Sequence, residues 1–305
     1  LKKKDMNSPG LEQNNPGSDW RNSQQNIPRK FNLLIYAHYY ELASTGQLLR
    51  DLAEGLTPQF NVTVICVVPS YLGTIEDKYK MQKYYFENIS GVDLIRVRVP
   101  EFQKSNKISR IKNILTYFFR AMRATGQVKK AIRRDGTKKI DFIIGVSQPP
   151  ILGGLLAAWG KWRLGGHVIY WIQDCNPELI MAVGYFRFRL FLRMLEKLDM
   201  LSCSQADLVV VPGRDMVATI KRRFRKNLKK VPEITVINNW IDETEIYPLE
   251  ADHVKVIEFR KRWGLENKFI FMYSGNLGNY YGLMELLEVI QRFSTGRKDP
   301  DDDGK

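Results

Sequence analysis

Histidine and cysteine are scarce, at three of each in 305 residues. Cys66, Cys175 and Cys203 are odd in number, far apart and without zinc-ligand spacing. That excludes a disulfide framework and a structural zinc site, and it points to free thiols in a reducing compartment. His38, His167 and His253 show no ligand spacing and read as structural. Long apolar runs are also missing. The longest, Ile151 to Gly160, is bounded by Pro149-Pro150 and Lys161 and is too short to span a bilayer, so no transmembrane helix is expected. Residues 1 to 28 are rich in Asn, Gln, Ser, Pro and Lys, lack the apolar stretch of a secretory signal, and read as a disordered tail. The chain opens on Leu1 rather than Met, which suggests a fragment boundary, with Met6 a candidate start. Acidic residues are outnumbered by basic ones, 33 against 47, for a net charge of +14. That balance does not suit an ordinary small-metabolite enzyme and favours a polyanionic or membrane-surface partner.

What is present suits a globular α/β protein, with 44% hydrophobic and 11% aromatic residues. Short apolar runs at Phe31–Tyr36, Val62–Val68, Val92–Val99, Ile140–Val146, His167–Ile172, Ala206–Val211 and Ile234–Ile237 read as strands. Between them lie helical patterns: Leu48, Leu49, Leu52, Ala53 and Leu56, then residues 104–134, Leu152–Trp162, Phe186–Cys203 and Met216–Phe224. This alternation predicts a parallel sheet covered on both faces, a Rossmann-like domain over residues 29–238. Residues 239–267 are polar and read as a linker. A second start follows at 268–305: a strand Phe269–Tyr273, a turn Ser274–Gly278, and a helix from Leu283 to Ile290. One βα unit cannot bury its own apolar face, so the expectation is a two-domain protein represented by its first domain and the opening of its second.

Three stretches carry chemistry. After the first strand, Ala37 to Gly46 offers only one glycine, which argues against a dinucleotide site. Thr45-Gly46 at a helix entry either meets an anionic ligand with backbone N–H groups and a hydroxyl, or serves as a plain cap with a close-packed glycine. Gln173-Asp174, at the carboxyl end of a parallel strand, stands where ligands of open α/β sheets bind. Asp174 there could hold a sugar hydroxyl or stabilise positive charge at a reacting carbon, and Asp174 or Asn176 could equally cap the next helix. Asn239-Trp240, between two α/β units, reads as a hinge lining a cleft. Asp299-x-Asp301-x-Asp303-Gly304 mimics part of a calcium loop but reads as a solvated acidic loop.

Taken in order, Tyr40-Glu41 with Thr45-Gly46, Gln148-Pro149-Pro150, Gln173-Asp174 with Pro177-Glu178, Asn239-Trp240-Ile241-Asp242, Arg262-Trp263-Gly264-Leu265 and Tyr273 to Gly278 resemble the GT-B family 4 glycosyltransferases. The likeness is to the bacterial branch that makes surface polysaccharides of the colanic acid and O-antigen type, and it runs from about Phe31 to Phe293. The resemblance implies a retaining transfer from a nucleotide-diphosphate sugar to a lipid-linked saccharide, with no cofactor beyond that co-substrate and no obligatory metal. It implies catalytic roles for Asp174, Gln173 and Glu41, and donor-phosphate contacts from Gly275, Asn276 and Gly278. Thr45, Gly46, Asn239 and Trp240 would line the acceptor cleft. The family's later Glu-x7-Glu donor motif lies beyond the residues given, and its common His is Gln173 here, as in this branch.

The segment from Gln103 to Lys139 carries a dense set of cations, among them Arg120, Arg123, Lys129 and Lys130, with Asp135 its one acid. Ile108, Ile111, Leu115, Phe118, Phe119 and Met122 are interleaved at helical spacing. Such a helix either packs its apolar stripe into the core or lies on an anionic membrane surface. Arg187, Arg189, Arg193 and Lys197 form a second basic group. No helix-turn-helix, finger or RNA-binding pattern is present, so nucleic acid is not expected. The expected protein is thus a peripheral transferase on the cytoplasmic face of the cell membrane. The rivals are a non-catalytic acceptor-binding module at the membrane and a GT-B-fold sugar-nucleotide epimerase.

Overall fold

The computed structural model describes residues 30–103, 105–134, 139–182, 189–224, 231–275, 277 and 281–295. In chain order the elements are β1 (Phe31–Tyr36), α1 (Ser44–Leu56), β2 (Phe60–Val67), β3 (Tyr84–Ile89), β4 (Val92–Val97), α2 (Lys107–Arg134), β5 (Phe142–Val146), α3 (Leu152–Leu164), β6 (His167–Trp171), α4 (Glu178–Ala182), α5 (Arg189–Gln205), β7 (Leu208–Val211), α6 (Arg214–Phe224), β8 (Glu233–Val236), α7 (Val254–Arg262) and α8 (Leu283–Thr295), with a short 3-10 turn at Asp77–Tyr79. The strands form one sheet in the order β3-β4-β2-β1-β5-β6-β7-β8. Every pairing is parallel except β3 with β4.

Alternate side chains of the strands feed two cores, as the period-2 geometry of a strand requires. Leu34, Tyr36, Ile65, Val67, Ile143 and Val209 face α2, α3, α5 and α6, meeting Tyr117, Ala121, Leu156, Cys203 and Ile220. Leu33, Ile35, Val62, Val64, Ile144 and Trp171 face the other way, toward Leu49 and Ala53 of α1. Helices after β1 and after β5 lie on opposite faces because right-handed crossovers run outward from the centre in opposite directions. The chain order therefore reverses between β1 and β5, and the loops that follow these two strands part there. Such a reversal opens the crevice that ligands of doubly wound sheets occupy.

α3 fits against the sheet through small residues. A Cβ on Gly153 would stand 1.6 Å from the Val146 carbonyl oxygen, and one on Gly145 would stand 2.7 Å from Ala157 Cβ. This contact explains the run Leu152-Gly153-Gly154-Leu155-Leu156-Ala157-Ala158: the helix must approach too closely for side chains.

Four expectations are corrected. The third strand is half of a hairpin, since Tyr84–Ile89 runs antiparallel to it. Ser90 and Gly91 both take positive φ, at 50° and 82°, as a two-residue primed turn requires. The supposed linker contains α7, which His253 caps by accepting a hydrogen bond from the Lys255 N–H at 3.2 Å. Phe269–Tyr273 forms no strand, and Phe269 is 93% exposed. A strand needs a ladder partner, and the described residues give that segment none. The 104–134 helix begins at Lys107 and only part of its apolar stripe is core. The tail at 1–28, the acidic loop at 299–304, Asn276, Gly278 and Arg187 lie outside the described residues.

Candidate active site

The loops at the carboxyl ends of β1, β5 and β6 converge beside the point where the strand order reverses. Gln148–Pro149 and Asn176–Pro177 are both cis peptides, one in each of the β5 and β6 loops. α1 starts without a side-chain cap: Ala43 stands at the N-cap with φ 67°. Thr45 is therefore not the cap. Its hydroxyl accepts a hydrogen bond from Gln148 Nε2 at 2.9 Å and joins the β1 loop to the β5 loop. Gly46 is buried, and a Cβ there would sit 3.4 Å from the Glu41 and Tyr40 backbone, an ordinary contact that makes it close-packed but not obligatory.

Gln173 is bonded at both ends of its residue. Its N–H donates to Ser147 Oγ at 2.9 Å, and its side-chain carbonyl accepts from Asn239 Nδ2 at 3.1 Å. Its Nε2 is buried and has no partner among the described residues. A buried amide donor without an acceptor is costly, and a ligand oxygen would satisfy it. Asp174 stands next to it with one side open to solvent. Its carboxylate has no hydrogen-bond or ion-pair partner among the described residues, and burial pushes its pKa above the usual aspartate range. It caps nothing; Asn176 Nδ2 reaches only its main-chain carbonyl, at 3.4 Å. An unpaired carboxylate beside an unpaired amide donor is a hydroxyl-binding pair, acceptor next to donor. Trp240, stacked on Trp171, brings the 238–241 segment over the end of β6 and so delivers Asn239 to Gln173.

Glu41 is placed differently. Its carboxylate is engaged by both terminal nitrogens of Arg96, one of them at 3.2 Å, while Arg96 Nε holds Glu87 at 2.6 Å. The Arg96 side chain is only 2% exposed. The pair anchors the first loop to β4, and the structure does not bring Glu41 into contact with Gln173 or Asp174. Gly275 is described and exposed, with no hydrogen bond, ion pair or ring contact to the Gln173 cluster.

Two positioning groups escaped the sequence reading. Ser147 is the acceptor that fixes the Gln173 backbone. Arg223 on α6 binds Asp199, Glu178 and, at 2.9 Å, the Asn176 carbonyl, so it pins the loop that carries Asp174. Tyr170 donates to the same Asp199 at 2.7 Å. Arg223 was legible only as one cation in a basic helix, and Arg96 only as one of two alternating arginines in a strand. The available clue to Arg96 was its place within the apolar run Leu94-Ile95-Arg96-Val97, where an arginine must find an acid.

α2 divides its apolar residues between two environments. Tyr117, Ala121, Ala124 and Val128 are core. Ile108, Ile111, Leu115 and Phe119 form a second, outward stripe, exposed by 66%, 52%, 44% and 54%. Arg123 and Lys130 stay exposed, but Arg120 donates to the Arg98 carbonyl and Lys129 to the Arg163 carbonyl at 3.2 Å. Among the described residues no helix is long and apolar enough to cross a membrane.

Over 192 residues the chain is 26% identical to "Probable glycosyltransferase WbjE" of Pseudomonas aeruginosa, a match that takes in 63% of this chain and 45% of that protein. The fold resembles sucrose-phosphate synthase from Thermosynechococcus elongatus, with TM-score 0.56 at 11% identity, over 86% of this chain and 60% of that one. No family model matches. The chain is thus similar in sequence to a probable glycosyltransferase and similar in fold to sucrose-phosphate synthase. It spans about half the length of the curated relative it matches.

Proposed function

We propose that this protein is a glycosyltransferase that moves a sugar from a nucleotide-diphosphate donor to a lipid-linked saccharide, with retention of configuration, during cell-surface polysaccharide synthesis. The observation that carries the reading is the Gln173–Asp174 pair. Among the described residues, a carboxylate without a partner and a buried amide donor without a partner belong to consecutive residues at the carboxyl edge of a parallel sheet. The sequence similarity to a glycosyltransferase supports it.

In this account Asp174 accepts from a hydroxyl of the transferred sugar and stabilises positive charge as the glycosidic bond lengthens. Gln173 donates to a neighbouring oxygen, held in place by Ser147 and Asn239. Thr45 and Gly46 open α1 toward the cleft, and Glu41 acts through Arg96 to hold that loop. Gly275, Asn276 and Gly278 offer backbone N–H groups to the donor diphosphate. The outward stripe of α2 with its cations rests on the anionic inner surface of the cell membrane, where the acceptor lipid is found.

The test uses protein expressed from its full reading frame, a panel of radiolabelled nucleotide-diphosphate sugars, and vesicles carrying lipid-linked saccharide. Label should pass into the organic extract from one donor, with the anomeric configuration kept. A folded protein that transfers label from none of the donors overturns the proposal.

A further inference from the structure

A cavity of about 940 Å³ opens over the amino ends of β1, β2 and β4, beside the last turns of α2 and at the opposite end of the sheet from Gln173 and Asp174. We infer that this cavity binds a neutral oligosaccharide, through a row of amide, hydroxyl and carboxylate groups that crosses four strands. Such a site lies outside the transfer reaction and does not depend on it.

The strand register sets the row. Asn32 stands opposite Asn61, Thr63 opposite Asp93, and Asp93 opposite Asn88. Side chains two residues apart share a face, and the same face continues along β2 and β4 as Ile65, Val67, Ile95 and Val97 in the core. Toward its amino end the sheet thus turns from apolar core to polar floor. Three steps between neighbouring strands, each about 4.8 Å, make that floor roughly 14 Å long. Asn61 Nδ2 donates to Asn32 Oδ1 at 3.1 Å, and Asn88 Nδ2 donates to Asp93 Oδ1 at 2.7 Å. Those bonds fix the row but leave the Thr63 hydroxyl and the second Asp93 oxygen without a side-chain partner among the described residues. On the α2 wall, Gln127 Oε1 is buried and has no partner among the described residues. A buried acceptor left unpaired is costly, and a ligand hydroxyl would satisfy it.

Charge and polarity select the ligand class. Of the charged side chains that border the cavity, Lys30 donates to the Thr57 carbonyl at 2.8 Å, and Glu87 is held by Arg96 and Tyr79. Asp93 is the open charge that remains among them, and it is negative, which disfavours a phosphate or an acidic lipid. An apolar partner would bury that carboxylate and the amides unpaired. Sugar hydroxyls donate to carboxylate and amide oxygens and accept from amide N–H groups, so they match the floor group by group. Phe86 stands opposite Ile95 on the same face and is 66% exposed, which offers an aromatic surface to the C–H face of a sugar ring. The volume lies within the range of about 300–1,000 Å³ usual for small-ligand sites.

The test probes an array of neutral oligosaccharides, built from α- and β-linked hexoses, N-acetylhexosamines and deoxyhexoses, with the full reading-frame protein. Calorimetry follows with the tightest binder. Phe86→Ala and Asp93→Ala should each weaken binding about tenfold. Gln127→Leu should also weaken it while leaving the melting temperature at or above that of the parent, because an unpaired buried acceptor is removed. Asp174→Ala should bind the oligosaccharide as the parent does. Label transfer on the same preparations tests the glycosyltransferase reading separately, and Phe86→Ala should leave it unchanged. An array on which no neutral oligosaccharide binds, or binding that survives both Phe86→Ala and Asp93→Ala, overturns the assignment. Loss of binding in Asp174→Ala would move the ligand to the end of β6 and overturn it as well.

Discussion

Trp240 lies flat on Trp171, with ring centroids 5.7 Å apart and planes 15° from parallel. Leu52 and Leu56 of α1 reach the edge of this part of the sheet. Trp240 and Ile237 roof an apolar hollow of about 320 Å³ lined by Phe142, Ile144, Ile169 and Val210. The stack holds the segment that brings Asn239 to Gln173. Trp240→Ala should cost about 2 kcal/mol, from the lost aromatic pair and the lost apolar burial. Chemical denaturation measures the loss, and quenching by iodide should show the Trp171 ring newly open to solvent. A parent-like midpoint would mean that the stack contributes nothing.

Two helix glycines should respond in opposite directions to the same substitution. In α3, Gly153→Ala drives a methyl into the Val146 carbonyl and should cost 3 kcal/mol or more, roughly the upper end of overpacking costs. In α2, a methyl on Gly126 would meet nothing within 4 Å outside its own helix, so Gly126→Ala should stabilise by about 0.5–1 kcal/mol. Thermal melts of the pair separate close packing from helix propensity.

His38 should make stability depend on pH in a window above the ordinary carboxylate range. Burial lowers its pKa from 6.5 to about 4, against a smaller opposing contribution from the Asn113 side chain. Tyr39 and Tyr117 rings pack on it at 4.4 and 5.0 Å. Above pH 6.5 the imidazole is neutral in both states and costs nothing. As pH falls below that, the unfolded chain takes a proton the folded state refuses, so stability drops until pH about 4. The loss should reach about 2 kcal/mol by pH 5. Glu87, which burial raises but Arg96 and Tyr79 hold lower overall, adds its loss only at more acid pH. His38→Gln should flatten the slope between pH 6.5 and 5, and an unchanged slope would count against this account.

The outward stripe of α2 should bind membranes without supporting the fold. Replacing Ile111 and Leu115 with Gln should leave the melting temperature unchanged, because both are exposed. Cosedimentation with anionic vesicles should fall sharply, and parent binding should weaken in 1 M salt, where the Debye length is about 3 Å. Variant protein that sediments as well as the parent would show that this stripe does not meet the bilayer.

The sheet was readable because its strands are buried on both faces: β1, Phe-Asn-Leu-Leu-Ile-Tyr, is apolar nearly throughout and has only its first residue exposed. Gln173 and Asp174 were readable because parallel topology puts the end of every strand at one edge. The roles of Glu41 and of the Asp174 loop were not. Their partners, Arg96 and Arg223, lie 55 and 45 residues away from Glu41 and Glu178, and local pattern carries no signal over such distances. Phe269–Tyr273 failed for a related reason: apolar composition marks a candidate strand, but only a neighbouring strand makes one. The split of α2 into core and outward stripes was also hidden, since a helix with apolar residues on most of its circumference does not say which side meets the sheet.

The most direct test of the whole account is the rate of label transfer by Asp174→Ala, in the full reading-frame protein with the donor that the parent uses. With the carboxylate gone and the circular dichroism spectrum unchanged, kcat/KM should fall well over tenfold, a loss of more than about 1.4 kcal/mol of transition-state stabilisation. A folded Asp174→Ala protein that turns over at the parent rate would contradict the assignment of the active site to the end of β6.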